Sequence, residues 1–149
     1  MDDGMPWLIM NLNQLAAVIG ELTSTCELSK DYFLQRGCFI DARGILEVDG
    51  TANFGFGVRV LTQSHDINGG EFGGTINRKV VIGKNVWIGS FALLYNCIIH
   101  DGAIVAAGAV VKSCEIMPNT MVAGNPAQVI ARRVGGKWIY LIEKWRVLQ

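Results

Sequence analysis

The chain has 149 residues, 50% of them hydrophobic, and its 13 Lys and Arg side chains balance 13 Asp and Glu. That is enough material for one core of ordinary size, and a neutral chain with no basic run or aromatic-basic patch excludes a nucleic-acid partner. Apolar runs such as AIVAAGAVV fall far short of the roughly 18 residues that cross a bilayer, and the acidic start MDDGMPW is unlike a signal peptide, so the expected location is the cytoplasm, with no membrane span.

The first predicted element is a short amphipathic helix within residues 1–20, with Pro6 near its start, Leu8, Leu12, Leu15, Ala16 and Ile19 at helical spacing, and Gly20 at its end. Residues 21–47 are rich in apolar side chains but hold no regular frame, and read as a capping segment or an irregular first turn of the structure that follows.

From Val48 the pattern changes. Aliphatic residues return every six positions at Val48, Phe54 and Val60, and again at Ile76, Ile82, Ile88, Leu94, Ile99, Val105 and Val111, with a single step of five between Leu94 and Ile99. A period of six fits neither a helix nor a plain strand, so the repeat itself is the structural unit. The residue after the leading aliphatic is often small (Gly55, Gly83, Gly89, Ala106), and the fifth is small or aliphatic (Ala52, Val58, Ser64, Val86, Ala92, Ala103, Ala109), as a short strand followed by a sharp corner requires. Three such units make one triangular coil, and stacked coils bury a continuous core that one coil alone does not.

Between His65 and Ile76 the frame is interrupted by DINGGEFGGT, residues 66–75, whose glycines mark a loop extruded from the stack. Insertions of this kind lie on one face of a solenoid and often serve binding. After the repeats comes VAGNPAQVIARR. A Gly135-Gly136 break then leads into a second amphipathic stretch, with Trp138, Leu141, Ile142 and Trp145 on one face, predicted to be a helix covering an open end of the stack. The whole reads as a single domain over 1–149: a helical and irregular cap over 1–37, a β-helix over 38–131 and a helical tail over 132–149. Cys26, Cys38, Cys97 and Cys114 form no CxxC pair and read as reduced, small core residues.

The runs VVIGKNVWIG and HDGAIVAAGAVV and the closing VAGNPAQVI together resemble the hexapeptide-repeat acyltransferases. More narrowly, they are similar to the maltose and galactoside acetyltransferase group and to the O-acetyltransferases of capsular and exopolysaccharide sugars. The resemblance covers residues 38–133. It implies an all-β fold, a left-handed parallel β-helix with short N- and C-terminal helices. It also implies a homotrimer, with acetyl-CoA held as co-substrate between subunits, a saccharide acceptor and no metal.

In that family the catalytic histidine precedes the extruded loop, and LTQSHDIN places His65 there. A sugar hydroxyl is too weak an acid to attack a thioester unaided, and a neutral imidazole can accept its proton as attack proceeds. The resemblance also assigns the donor to Gly89, Ser90, Ala106 and Ala107 at coil corners, to the Asn125-Pro126 turn, and to Lys112 and Arg132, with Arg133, as cations for coenzyme A phosphates. Trp87 reads as a packing or groove-wall residue. His100 reads as a corner residue without a catalytic role, and Asp66 either orients the His65 ring or starts the loop.

Ser64 and His65 are adjacent on an extended strand, which points them to opposite faces and argues against a direct dyad. Three other readings compete with O-acetylation. N-acetylation of an amino group on a nucleotide-linked sugar needs the same groups. A zinc carbonic anhydrase of the same fold needs three histidines per metal, and this chain has only His65 and His100. A non-catalytic assembly subunit gives no reason for a glycine-rich insertion directly after a histidine.

Overall fold

In a computed structural model, residues 26–28, 33–35, 37–48, 51–69 and 73–142 are described; they form short strands joined by tight corners and contain no helix. The predicted helix within 1–20 lies outside them, as does the end of the chain from 143.

Each coil contributes one strand to each of three faces. The first coil is β1 (Cys26–Leu28), β2 (Phe33–Leu34) and β3 (Phe39–Ile40), and the second is β4 (Ile45–Val48), β5 (Asn53–Phe54) and β6 (Arg59–Leu61). An arm then leaves the stack as β7 (Gln63–Asp66) and returns as β8 (Gly73–Asn77). The third coil is β9 (Lys79–Ile82), β10 (Trp87–Ile88) and β11 (Leu93–Tyr95), and the fourth is β12 (Cys97–Ile99), β13 (Ile104–Val105) and β14 (Val110–Lys112). The fifth coil has β15 (Glu115–Ile116) and β16 (Thr120–Ala123), and the described chain closes with β17 (Gln128–Val134) and β18 (Lys137–Tyr140). The faces are ordered β1-β4-β9-β12-β15, β2-β5-β10-β13-β16-β17-β18 and β3-β6-β11-β14. Every coil-to-coil pairing is parallel, which makes this a parallel β-helix.

The register stacks like on like. Val48, Ile82, Ile99 and Ile116 form one internal column, Phe54, Ile88, Val105 and Val122 a second, and Val60, Leu94 and Val111 a third. All are buried, and the fifth-place residues Ala52, Val58, Val86, Ala92, Ala103 and Ala109 fill the space beside them. The five-residue step recurs from Val111 to Ile116, so the later coils repeat at 17 residues, as Ile82, Ile99 and Ile116 show. At this tight corner Asn96 (φ 49°) and Ser113 (φ 50°) take the left-handed conformation.

Four expectations are corrected. The β-helix starts before residue 38: β1, β2 and β3 make a first coil, the irregular first turn rather than a capping segment, with Leu34 in the column of Phe54 and Ile40 in that of Val60. Ile76 and Ser64 do not belong to the stack; they pair with each other across the arm, and the frame resumes at Val80 and Ile82. Residues 66–75 are not wholly loop, since the arm is an antiparallel hairpin in which Asp66 pairs with Gly73. The tail from 132 is not helical as far as 140. There β17 lies antiparallel on β16, and β18 on β17, so backbone pairing rather than a helix covers the edge of that face.

Cys38 and Cys97 are buried and free, and burial pushes the Cys97 thiol up to about 12, which makes it inert core material. No helix of the described residues is long and apolar enough to cross a membrane.

Candidate active site

The arm replaces one corner of the helix. It leaves after Leu61 and re-enters at Arg78, at the corner where the third and fourth coils make their five-residue step. Its root is pinned by Thr62, which is fully buried: its hydroxyl donates to the Asp41 carbonyl at 2.6 Å and accepts the Gly44 N–H at 2.9 Å. The Arg78 N–H donates to the Thr62 carbonyl at 2.7 Å, and the Arg78 carbonyl accepts from the Ile45 N–H at 3.0 Å. Below the root, the buried Asp41 carboxylate accepts two bonds from the Arg43 guanidinium, at 2.8 and 3.0 Å, and this bonding holds Asp41 below the ordinary carboxylate range.

A root so fixed lets the arm lie against the outer surface of the β6-β11-β14 face. Leu61, Tyr95 and Lys112 are register partners there, one above another, and they form the cleft wall. The arm supplies the opposite side with Ser64, His65 and Asp66, and the space between is an open cleft of about 570 Å³. Within it Arg78 Nε donates to Tyr95 Oη at 3.1 Å. A hydrogen bond with Ser64, then the bond and charge of Arg78 and the charge of Lys112, hold the Tyr95 phenol below its ordinary 10.0 despite partial burial.

His65 is exposed on β7, paired through its backbone with Thr75. Ser64 is engaged by Tyr95, which agrees with strand alternation in giving the two side chains separate tasks. The Asp66 carboxylate accepts the Asn68 N–H at 2.9 Å, the geometry of a residue that starts a turn. His100 lies outside the cleft, where its Nε2 meets Glu115 Oε1 at 2.5 Å. Among the described residues no group of three or more His, Cys, Asp or Glu is placed to hold a metal.

The residues assigned to the donor fall in three places. Ser90, Ala106 and Ala107 lie on the corner between the second and third faces, where Gly108 N–H donates to the Ser90 carbonyl at 2.9 Å. Gly89 is buried at that corner, and a Cβ on it would stand 2.4 Å from the Ala107 nitrogen, so coil stacking alone demands glycine there. Asn125 and Pro126, joined by a cis peptide bond, turn the chain from β16 to β17, and Arg132 is exposed on β17 opposite Thr120. Arg133 is stacked over the Trp138 ring at 4.6 Å. Lys112 stands apart from all of these, in the cleft with His65. Tyr95 and Arg78 had no sequence signal beyond position: Tyr95 is the outward residue just before the five-residue step, and Arg78 is hidden by the false frame at Ile76.

Residues 79–113 match the family model for the bacterial transferase hexapeptide, six repeats. A protein of Schizosaccharomyces pombe named as an acetyltransferase is 34% identical over 111 residues, which are 69% of this chain and 51% of that one. The crystal structure of a maltose O-acetyltransferase from Clostridium difficile 630 superposes with a TM-score of 0.62 at 28% identity, over 70% of this chain and 57% of that one. A galactoside acetyltransferase solved with coenzyme A gives a TM-score of 0.55 at 25% identity, over 64% and 48%. This chain thus spans about half the length of these relatives.

Proposed function

We propose that this chain, a relative of the hexapeptide-repeat acyltransferases, transfers the acetyl group of acetyl-CoA to a hydroxyl of a saccharide, with His65 as the general base. The observation that carries the reading is the placement of His65 on the arm, where the arm forms a cleft against the outer wall of the β-helix. The maltose and galactoside enzymes support a sugar acceptor, and the bound coenzyme A of the latter supports the donor. Synthesis of a polysaccharide or surface glycan in the cytoplasm is the setting that the family resemblance favours.

In this mechanism the His65 imidazole takes the proton of the acceptor hydroxyl as its oxygen bonds to the thioester carbonyl carbon. It then returns that proton to the departing sulfur, so the imidazole ends the cycle unchanged. The donor runs from the cleft along Ser90, Ala106 and Ala107, past the Asn125-Pro126 turn towards Arg132. In a left-handed helix assembled as a homotrimer, a neighbouring subunit closes this groove. An amino group on a nucleotide-linked sugar offers His65 an equivalent proton, and acceptor pairs that differ only in amine or hydroxyl separate the two activities.

The test is steady-state transfer and coenzyme A binding by calorimetry, with the mass of the assembly checked for each variant. His65→Ala lowers turnover by about a hundred-fold or more and leaves coenzyme A affinity nearly unchanged; His100→Ala preserves both. Near-normal turnover of His65→Ala on an acceptor used by wild type refutes the mechanism. Failure of wild type to bind acetyl-CoA favours an assembly subunit.

A further inference from the structure

Two cations in the cleft are not used by proton transfer to His65. Arg78 has one guanidinium N–H on Tyr95, and Lys112 is the register neighbour of Tyr95 on the next coil. Neighbouring strands lie about 4.8 Å apart, so Lys112 and Tyr95 stand on adjacent rungs of one face, and both line the cleft together with Arg78. The charge of each cation also acts on the Tyr95 phenol and lowers its pKa. Among the described residues the ion pairs are Arg43 with Asp41, Lys79 with Glu47 and His100 with Glu115; neither Arg78 nor Lys112 has a carboxylate partner. Asp66 is the acidic one among the described residues of the cleft lining, and it accepts a backbone N–H of its own turn.

A neutral sugar needs hydroxyl partners and gains little from two cations that have no carboxylate partner among the described residues. A carboxylate or phosphate takes a fork of N–H donors from an arginine and a point charge from a lysine. Tyr95 completes such a site. Its oxygen accepts from Arg78 at 3.1 Å, and a phenol that accepts one bond can still turn its own O–H towards an anion in the cleft.

We propose that Arg78, Lys112 and Tyr95 bind an anionic group, a carboxylate or a phosphate monoester, carried by the saccharide whose hydroxyl His65 deprotonates. The acceptor is then an acidic or phosphorylated sugar. The inference rests on the acetyl-transfer reading of this cleft, but its test does not require turnover. It also moves Lys112 from the donor's phosphates to the acceptor.

The experiment follows the Arg78 Nε–H resonance of the full chain by NMR, assigned with Arg78→Lys, during titration with methyl glucuronide, glucose 1-phosphate, methyl glucoside and adenosine 3′,5′-bisphosphate. Charge-assisted hydrogen bonds make the two sugar anions saturate the signal at about ten-fold lower concentration than methyl glucoside. Lys112→Met weakens both anions several-fold without altering methyl glucoside. Whether the glucuronide or the sugar phosphate binds more tightly identifies the anion. The inference is overturned if methyl glucoside binds as well as the anions, or if neither sugar anion moves the resonance. It is also overturned if adenosine 3′,5′-bisphosphate acts at the lowest concentration, which assigns the cations to the donor. Anion binding without acetyl transfer refutes the enzymatic reading and leaves the anion site standing.

Discussion

Gly89 tests what coil stacking alone demands at a corner. A methyl group added there would stand 2.4 Å from the Ala107 nitrogen and 2.8 Å from the Ala106 carbonyl carbon and the Ala107 Cα, all of them backbone atoms of the coil above. To restore ordinary contact that peptide must retreat by about 1 Å. The shift stretches the bonds that bridge the two coils beside it, Gly89 N–H to the Val105 carbonyl at 2.7 Å and Gly108 N–H to the Ser90 carbonyl at 2.9 Å, out of range. Two hydrogen bonds at about 1 kcal/mol each, or the strain of keeping them, put Gly89→Ala at roughly 2–3 kcal/mol of lost stability. For a chain of this size that corresponds to a fall in Tm of about 6–12 °C. Gly108→Ala meets no atom within 4 Å but must hold φ at +70°, so about 1 kcal/mol is expected. Gly74→Ala has neither problem and should lie within about 0.5 kcal/mol of wild type. Thermal and urea unfolding at equal protomer concentration ranks the three. If Gly89→Ala is as stable as Gly74→Ala, the close coil contact is wrong and the glycine is there for another reason.

Thr62→Val keeps the shape of the arm's root but removes the hydroxyl that serves the Asp41 carbonyl and the Gly44 N–H, and is expected to cost about 1–3 kcal/mol in urea unfolding; Thr62→Ser, which keeps the hydroxyl, should cost less. The Tyr95 phenol, isolated by subtracting the ultraviolet titration of Tyr95→Phe, should ionise below 10.0, and Ser64→Ala or Arg78→Gln should each move it upward. Because the folded-state value is the lower one, this group adds stability only as pH rises through it towards the unfolded value, and the contribution is absent at neutral pH. A midpoint at or above 10.0 refutes the cluster.

The coils were legible because burial leaves a record in residue type. Ile82, Ile88 and Leu94 point inward for the same geometric reason, so they return at a fixed interval, and the step of five at Leu94 marks a real tight corner. The same record misled where a residue is apolar for a different reason. Ile76 sits six residues before Ile82 yet packs on the arm, and one side chain at the right distance is not evidence of a column. The tail misled in another way, because Trp138, Leu141 and Ile142 suit a helical face, whereas the edge of β16 offers a ready template for backbone pairing and a short helix must bear its own costly nucleation.

The cleft was only half legible, and the reason lies in how it is made. His65 stands out because it is one of two histidines and precedes a break in the repeat. Tyr95, Arg78 and Lys112 are far apart in sequence, and each occupies an outward position that the repeat leaves unconstrained. They meet only because the arm leaves at the corner where the coils shorten to five residues, which sets Arg78 beside Tyr95 and Lys112 above it. Outward positions are where a stacked solenoid can vary without disturbing its core. A cleft built this way is therefore written on outward residues at the corner where the repeat is broken, and there it is spelled by register between coils rather than by any contiguous motif.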